Sequence, residues 1–179
     1  MSDLSSTPVV HNPFTALDVA AILREESWLT GAATPEHEAW FDRAAFLLGP
    51  QSADRAQLKS LLRLVFHYDA AAILATPDAQ AAMSRKSARE VIRRLALLIL
   101  DGPAITPDTF HEIVNTLKSG TDVRSRDLFH PIRLGLAGQT GEGELDRVIL
   151  LLDSAAALPF AVKVKSARAR ILEFCAALD

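Results

Sequence analysis

The stretch Thr106-Pro-Asp-Thr-Phe-His-Glu-Ile-Val-Asn-Thr-Leu-Lys-Ser-Gly120 carries a complete set of helix signals. Phe110, Ile113, Val114 and Leu117 fall at i, i+3, i+4 and i+7, the spacing of one helix face. Thr106 is placed to accept from the first free amides, and Pro107 follows where a missing N–H costs nothing. Gly120 suits a left-handed stop. The same 3.6-residue period recurs on both sides. Leu58, Leu61, Leu62, Val65, Ala72 and Ile73 predict one long helix from about Ser52 to Ala75. Ser87 and Glu90 read as a capping box opening the stripe Val91, Ile92, Leu95, Leu98, Ile99, which Asp101-Gly-Pro103 ends. Shorter helices are expected over Phe14–Glu25 and Pro35–Leu48. A closing amphipathic helix carries Ala167, Ile171, Phe174, Cys175 and Leu178, with Ser166 as its cap. Val162-Lys-Val-Lys165 alternates like a strand but has no partner. The chain therefore reads as all-α, a bundle of about six to eight helices.

Composition bounds what such a bundle can be. The 179 residues are 49 % hydrophobic and 23 % charged, with net charge −3, which is a globular mixture rather than a disordered one. The longest apolar run, Leu95–Leu100, is far short of the roughly 20 residues that span a bilayer. Met1-Ser-Asp-Leu-Ser-Ser-Thr-Pro8 has no basic patch leading into an apolar core, so no secretory signal is expected and a cytoplasmic location is. A single cysteine, Cys175, excludes an internal disulfide and a thiolate zinc cluster. Five scattered histidines give no metal-ligand spacing and read as surface or boundary residues, so neither metal nor cofactor is expected. No phosphate-binding loop, dinucleotide fingerprint or nucleophile elbow is present. Residues 1–100 carry 10 basic and 11 acidic side chains and residues 101–179 carry 9 and 11, so neither part is a basic domain. Cations instead cluster locally, at Arg85–Arg94, at Arg124, Arg126 and Arg133, and at Lys163–Arg170. Boundaries are expected near residues 50 and 122, giving an N-terminal helical extension over 1–50, a bundle subdomain over 51–122 and a C-terminal subdomain over 123–179. The glycine-rich Gly138-Gln-Thr-Gly-Glu-Gly143 reads as an interhelical turn.

One segment is more specific. Leu128-Phe-His-Pro-Ile-Arg-Leu-Gly-Leu-Ala-Gly138, then Gly141-Glu-Gly-Glu-Leu145 and Val148-Ile-Leu-Leu-Leu152, resembles the anticodon-binding region of bacterial glutamyl-tRNA synthetases. That family carries Leu-Phe-x-Pro-Leu-Arg-x-Ala-Leu-Thr-Gly, a turn with Gly-Pro-Glu-Leu, and a leucine-rich helix. The resemblance extends less specifically back to about Ser52. It implies the helical cage of the class I aminoacyl-tRNA synthetases, gripping a glutamate-type anticodon loop, with Arg133 as an anticodon contact. Glu142, Gly143 and Leu145 correspond to the turn that touches anticodon bases. Arg55 is the nearest counterpart of a family Arg early in the long helix. Gly143 replaces the family's proline, and Glu142 stands where a small residue is usual. Arg124 and Arg126 are added as candidates for phosphates, to which an Arg fork is well matched. The catalytic signatures of the family are missing, and Met83-Ser-Arg-Lys-Ser87 is a chance echo of one of them. The reading is therefore a tRNA-binding module, free-standing or the detached half of a split synthetase, not catalytic alone, with tRNA or a separate synthetase catalytic chain as partner. The alternative is a protein-interaction bundle that kept the fold and lost RNA binding.

Overall fold

A computed structural model describes residues 11–179, and the reading of the opening residues lies outside them. Among the described residues there are ten α-helices and no strand. They are α1 (Ala16–Glu25), α2 (Pro35–Leu48), α3 (Arg55–Phe66), α4 (Ala70–Leu74), α5 (Pro77–Met83), α6 (Ala88–Asp101), α7 (Pro107–Gly120), α8 (Arg126–Ala137), α9 (Gly143–Ala156) and α10 (Ala167–Leu178). The count exceeds six to eight because the long helix expected over Ser52–Ala75 breaks after Phe66 and because α5, over Pro77–Met83, was not expected. Tyr68 leaves the helix to send its hydroxyl to the Gly135 carbonyl at 2.6 Å, and Asp69 restarts the chain by accepting from the Ala72 amide. No helix among these residues is long and apolar enough to cross a membrane. Residues 162–165 form no strand.

Capping distinguishes two helices that look alike in sequence. Thr106 accepts from the Thr109 amide at 3.2 Å while Thr109 accepts from the Thr106 amide at 2.7 Å, a reciprocal box. Ser87 makes no cap bond and has helical backbone angles, contrary to the expected box. Gly120 also departs from expectation. It stays in the helix, and α7 is closed by Thr121, whose hydroxyl donates to the Leu117 carbonyl at 2.7 Å. Thr106→Ala is therefore expected to lower unfolding free energy by about 1 kcal/mol, and Ser87→Ala to leave it unchanged. Parallel urea titrations check both; equal losses would contradict the assigned caps.

The buried apolar residues form one continuous cluster, from Val19 on α1 to Phe174 on α10. Contacts join α2 to both α3 and α9, and α8 to α6, α9 and α10. An aromatic group ties the first helices in. Trp28 stacks on Phe66 at 4.8 Å, and Trp40 meets Phe66 and Phe160 edge-on at 5.8 and 5.5 Å. Such pairs each add about 0.5–1.5 kcal/mol beyond area burial. His37 is buried beside them rather than at the surface. The Thr34 amide donates to its Nδ1 at 3.0 Å, so the proton sits on Nε2 and is donated to the Pro159 carbonyl at 3.1 Å. Between α8, α6 and α10 the approach is close enough that a methyl group on Gly135 would meet Ile92 and Ile171 at 3.2 and 3.3 Å.

Candidate nucleic-acid interface

The α8–α9 corner is organised by Arg133. Its Nε and Nη2 donate to the two oxygens of Asp146 at 2.8 and 2.9 Å, and its Nη1 donates to the Gly141 carbonyl at 2.7 Å. Phe129, one turn earlier, places its ring 4.7 Å beneath the guanidinium. The side chain is 10 % exposed. The resemblance implies an anticodon contact for Arg133; its guanidinium is here engaged by Asp146 and the Gly141 carbonyl. A planar fork with a carboxylate at matching spacing forms a bidentate pair in preference to a hydrated cation. Arg133 acts here as a strut that sets the 138–142 turn and the start of α9. Gly138 closes α8 at φ +84°, the left-handed region a glycine enters without strain. Leu145 is 2 % exposed and belongs to the core, so only its backbone is available to a ligand. Gly143 and Glu142 are exposed at the head of α9, and open space lies over Gly143.

Beside this corner runs an open groove of about 470 Å³ between α7 and α9, with Phe129 of α8 in its wall. Lys118, Asn115 and His111 line it from α7; Gly143, Asp146 and Arg147 line it from α9. Lys118 Nζ lies 5.7 Å from the centre of the Phe129 ring. The two ends differ in charge. Glu142 and Glu144 stand at the α9 head, favourable to the helix dipole there and repulsive to phosphate. Lys118 and Arg147 supply the cations. An aromatic face ringed by amide, imidazole and cationic groups is chemically suited to an unstacked base and its phosphate. Lys118, Asn115, His111, Phe129 and Arg147 were not singled out from sequence. Their signal is the polar flank of α7, where 111, 115 and 118 fall at i, i+4 and i+7 beside the apolar stripe.

Residues 18–158 match the anticodon binding domain family, a span that takes in the whole groove and its supporting turn. The chain belongs to that family. It is also 27 % identical over 113 residues to glutamate–tRNA ligase 2 of Syntrophus aciditrophicus (strain SB), covering 63 % of this chain and 23 % of that relative. The chain thus corresponds to less than a quarter of the relative's length. No solved structure matches it.

Within this anticodon binding domain, the remaining candidate residues stand apart from the groove wall. Arg124 is exposed in the α7–α8 link, its Nη1 donating to the Thr121 and Val123 carbonyls at 3.0 and 2.9 Å. Arg126 is the exposed first residue of α8, one turn before Phe129. Arg55 opens α3 and forks onto Glu25 of α1 at 2.6 and 2.9 Å, an exposed pair outside the groove. Ser125, between Arg124 and Arg126 at the head of α8, adopts φ +55°, which for a non-glycine residue carries a cost of about 1–3 kcal/mol.

Proposed function

We propose that this domain binds tRNA by its anticodon loop, with an unstacked loop base resting on Phe129 in the α7–α9 groove. The observation that carries the reading is the partly exposed Phe129 ring, backed by the buried Arg133–Asp146 pair and bordered by Lys118 and Arg147. The family match supports it, since every one of these residues lies within the matched span. Under this reading Arg133 is a positioning residue. Gly143 leaves room for the ligand, Leu145 anchors the α9 head, and Glu142 excludes phosphate from that end. Arg124 and Arg126 take phosphates outside the groove, and Arg55 does so only if released by Glu25. The relative's name, glutamate–tRNA ligase 2, supports a glutamate-type anticodon as the ligand. We further propose that the domain is not catalytic by itself and supplies tRNA binding to a synthetase catalytic unit.

Fluorescence-anisotropy titration of labelled tRNA tests the reading. Binding is expected to weaken linearly with salt on logarithmic axes, and Lys118→Gln with Arg147→Gln to lower affinity about tenfold and the salt slope by about two. No detectable binding at low salt, or an unchanged affinity in the double variant, would overturn it in favour of a protein-interaction bundle.

A further inference from the structure

Residues 85–94 hold five cations and one carboxylate in a chain of net charge −3, so the remainder of the molecule sums to −7. Two of the five are committed to carboxylates: Arg85 pairs with Asp127 of α8 at 2.9 Å, and Arg94 with Glu90 at 3.1 Å. Lys86, Arg89 and Arg93 are exposed and have no carboxylate within ion-pair distance among the described residues. Arg89 reaches only the Leu178 carbonyl, at 3.4 Å, and Asp179 is the single acidic residue lining the shallow hollow it shares with Arg93. Arg89 and Arg93 stand one helical turn, about 6 Å, apart along α6, and Lys86 continues the line before the helix. That interval is of the order of the spacing between successive phosphates of one strand.

The ridge is also continuous with the groove. A cleft of about 790 Å³ lies between them, lined by Arg85 and Lys86, by the carboxylates Glu90, Asp122 and Asp127, and by the end of α7 from Ser119 onward. Lys118, the residue before Ser119, lines the groove. A strand leaving the Phe129 groove past Lys118 crosses this cleft, where Asp127 and Glu90 are paired with Arg85 and Arg94 and Asp122 carries its charge alone, before it reaches Lys86 and the α6 ridge.

We propose that Lys86, Arg89 and Arg93 form a second contact surface, for the phosphodiester backbone of the duplex stem adjoining the bound loop. This rests on the RNA-binding reading above. Phosphates suit three unpaired point charges along one line, two of which flank a hollow floored by Cys175 and Leu178.

The test compares two RNA hairpins with the same anticodon-sized loop, one on a long duplex stem and one on a stem of only a few base pairs. The triple variant Lys86→Gln, Arg89→Gln, Arg93→Gln is expected to bind the long-stem hairpin at least tenfold more weakly, with the salt slope reduced by about two to three. Its affinity for the short-stem hairpin is expected to stay within twofold of wild type. Unchanged affinity for both RNAs, or equal losses for both, would overturn the proposal. The Lys118→Gln, Arg147→Gln variant separates the two readings: it should weaken both hairpins. If it weakens neither while the triple variant weakens the long-stem RNA, the ridge stands and the groove assignment falls. Thermal unfolding of each variant, followed by circular dichroism, verifies that these exposed substitutions leave the fold intact.

Discussion

Arg170→Met lowers the unfolding free energy by about 3–5 kcal/mol, the largest loss expected of any single substitution in this domain. Arg170 is fully buried yet forms no ion pair with a carboxylate among the described residues. Its guanidinium donates to the carbonyls of Val65 at 2.6 Å, Leu64 at 2.9 Å, Leu136 at 3.0 Å and its own neighbour Lys165 at 2.9 Å. Leu64 and Val65 lie in the last turn of α3, and Leu136 in the last turn of α8. Helix C-termini leave four carbonyls without partners, and their partial negative charge attracts a cation. One side chain thus caps two helices at once, while the Tyr68 ring lies 4.8 Å from it. Burial lowers its pKa to about 10, which still leaves it charged at neutral pH. Methionine fills much of the volume but strands the carbonyls in a dry core, at about 1–3 kcal/mol for each one left unsatisfied, offset by relief of the buried charge. Lysine, a single donor head, should not rescue it. Urea unfolding measures both, and a loss under 1 kcal/mol for Arg170→Met would contradict the capping role.

The second large effect concerns Arg133 and Asp146. Asp146→Ala strands a nearly buried guanidinium and is expected to cost about 3 kcal/mol. The reciprocal Arg133→Met should cost a similar amount, and the double variant Arg133→Met, Asp146→Leu distinctly less than the two losses added together. The coupling energy from that cycle is the direct readout of the strut. Additive losses would show that each residue acts alone. Each single change should also weaken RNA binding, by loosening the turn that presents Gly143.

Helix identity was readable wherever the signals were local. α7 has its cap, its proline and its apolar stripe within fifteen residues, and its start falls where these place it. α10 likewise opens at Ser166, which accepts from the Ala169 amide. What failed was decided at a distance. The break between α3 and α4 serves a bond from Tyr68 to Gly135, 67 residues on, while the apolar period continues through the gap. The sequence signal for that break was Asp69, a capping residue ahead of an alanine run. Ser87 satisfies the pattern of a capping box, yet its backbone stays helical. Arg133 was found by its motif but its burial was not, because the carboxylate that captures it is 13 residues away on another helix. The groove was half visible, as the polar flank of α7; its opposite wall emerges only when α9 packs beside it.

The most direct test of the central claim is the pattern of backbone amide chemical shifts when an anticodon stem-loop RNA is added to the labelled domain. Shifts concentrated at Asn115–Lys118, Phe129 and Glu142–Arg147, saturating with one RNA per domain, are the predicted result. Saturable shifts confined to other helices, with these residues unmoved, would contradict it.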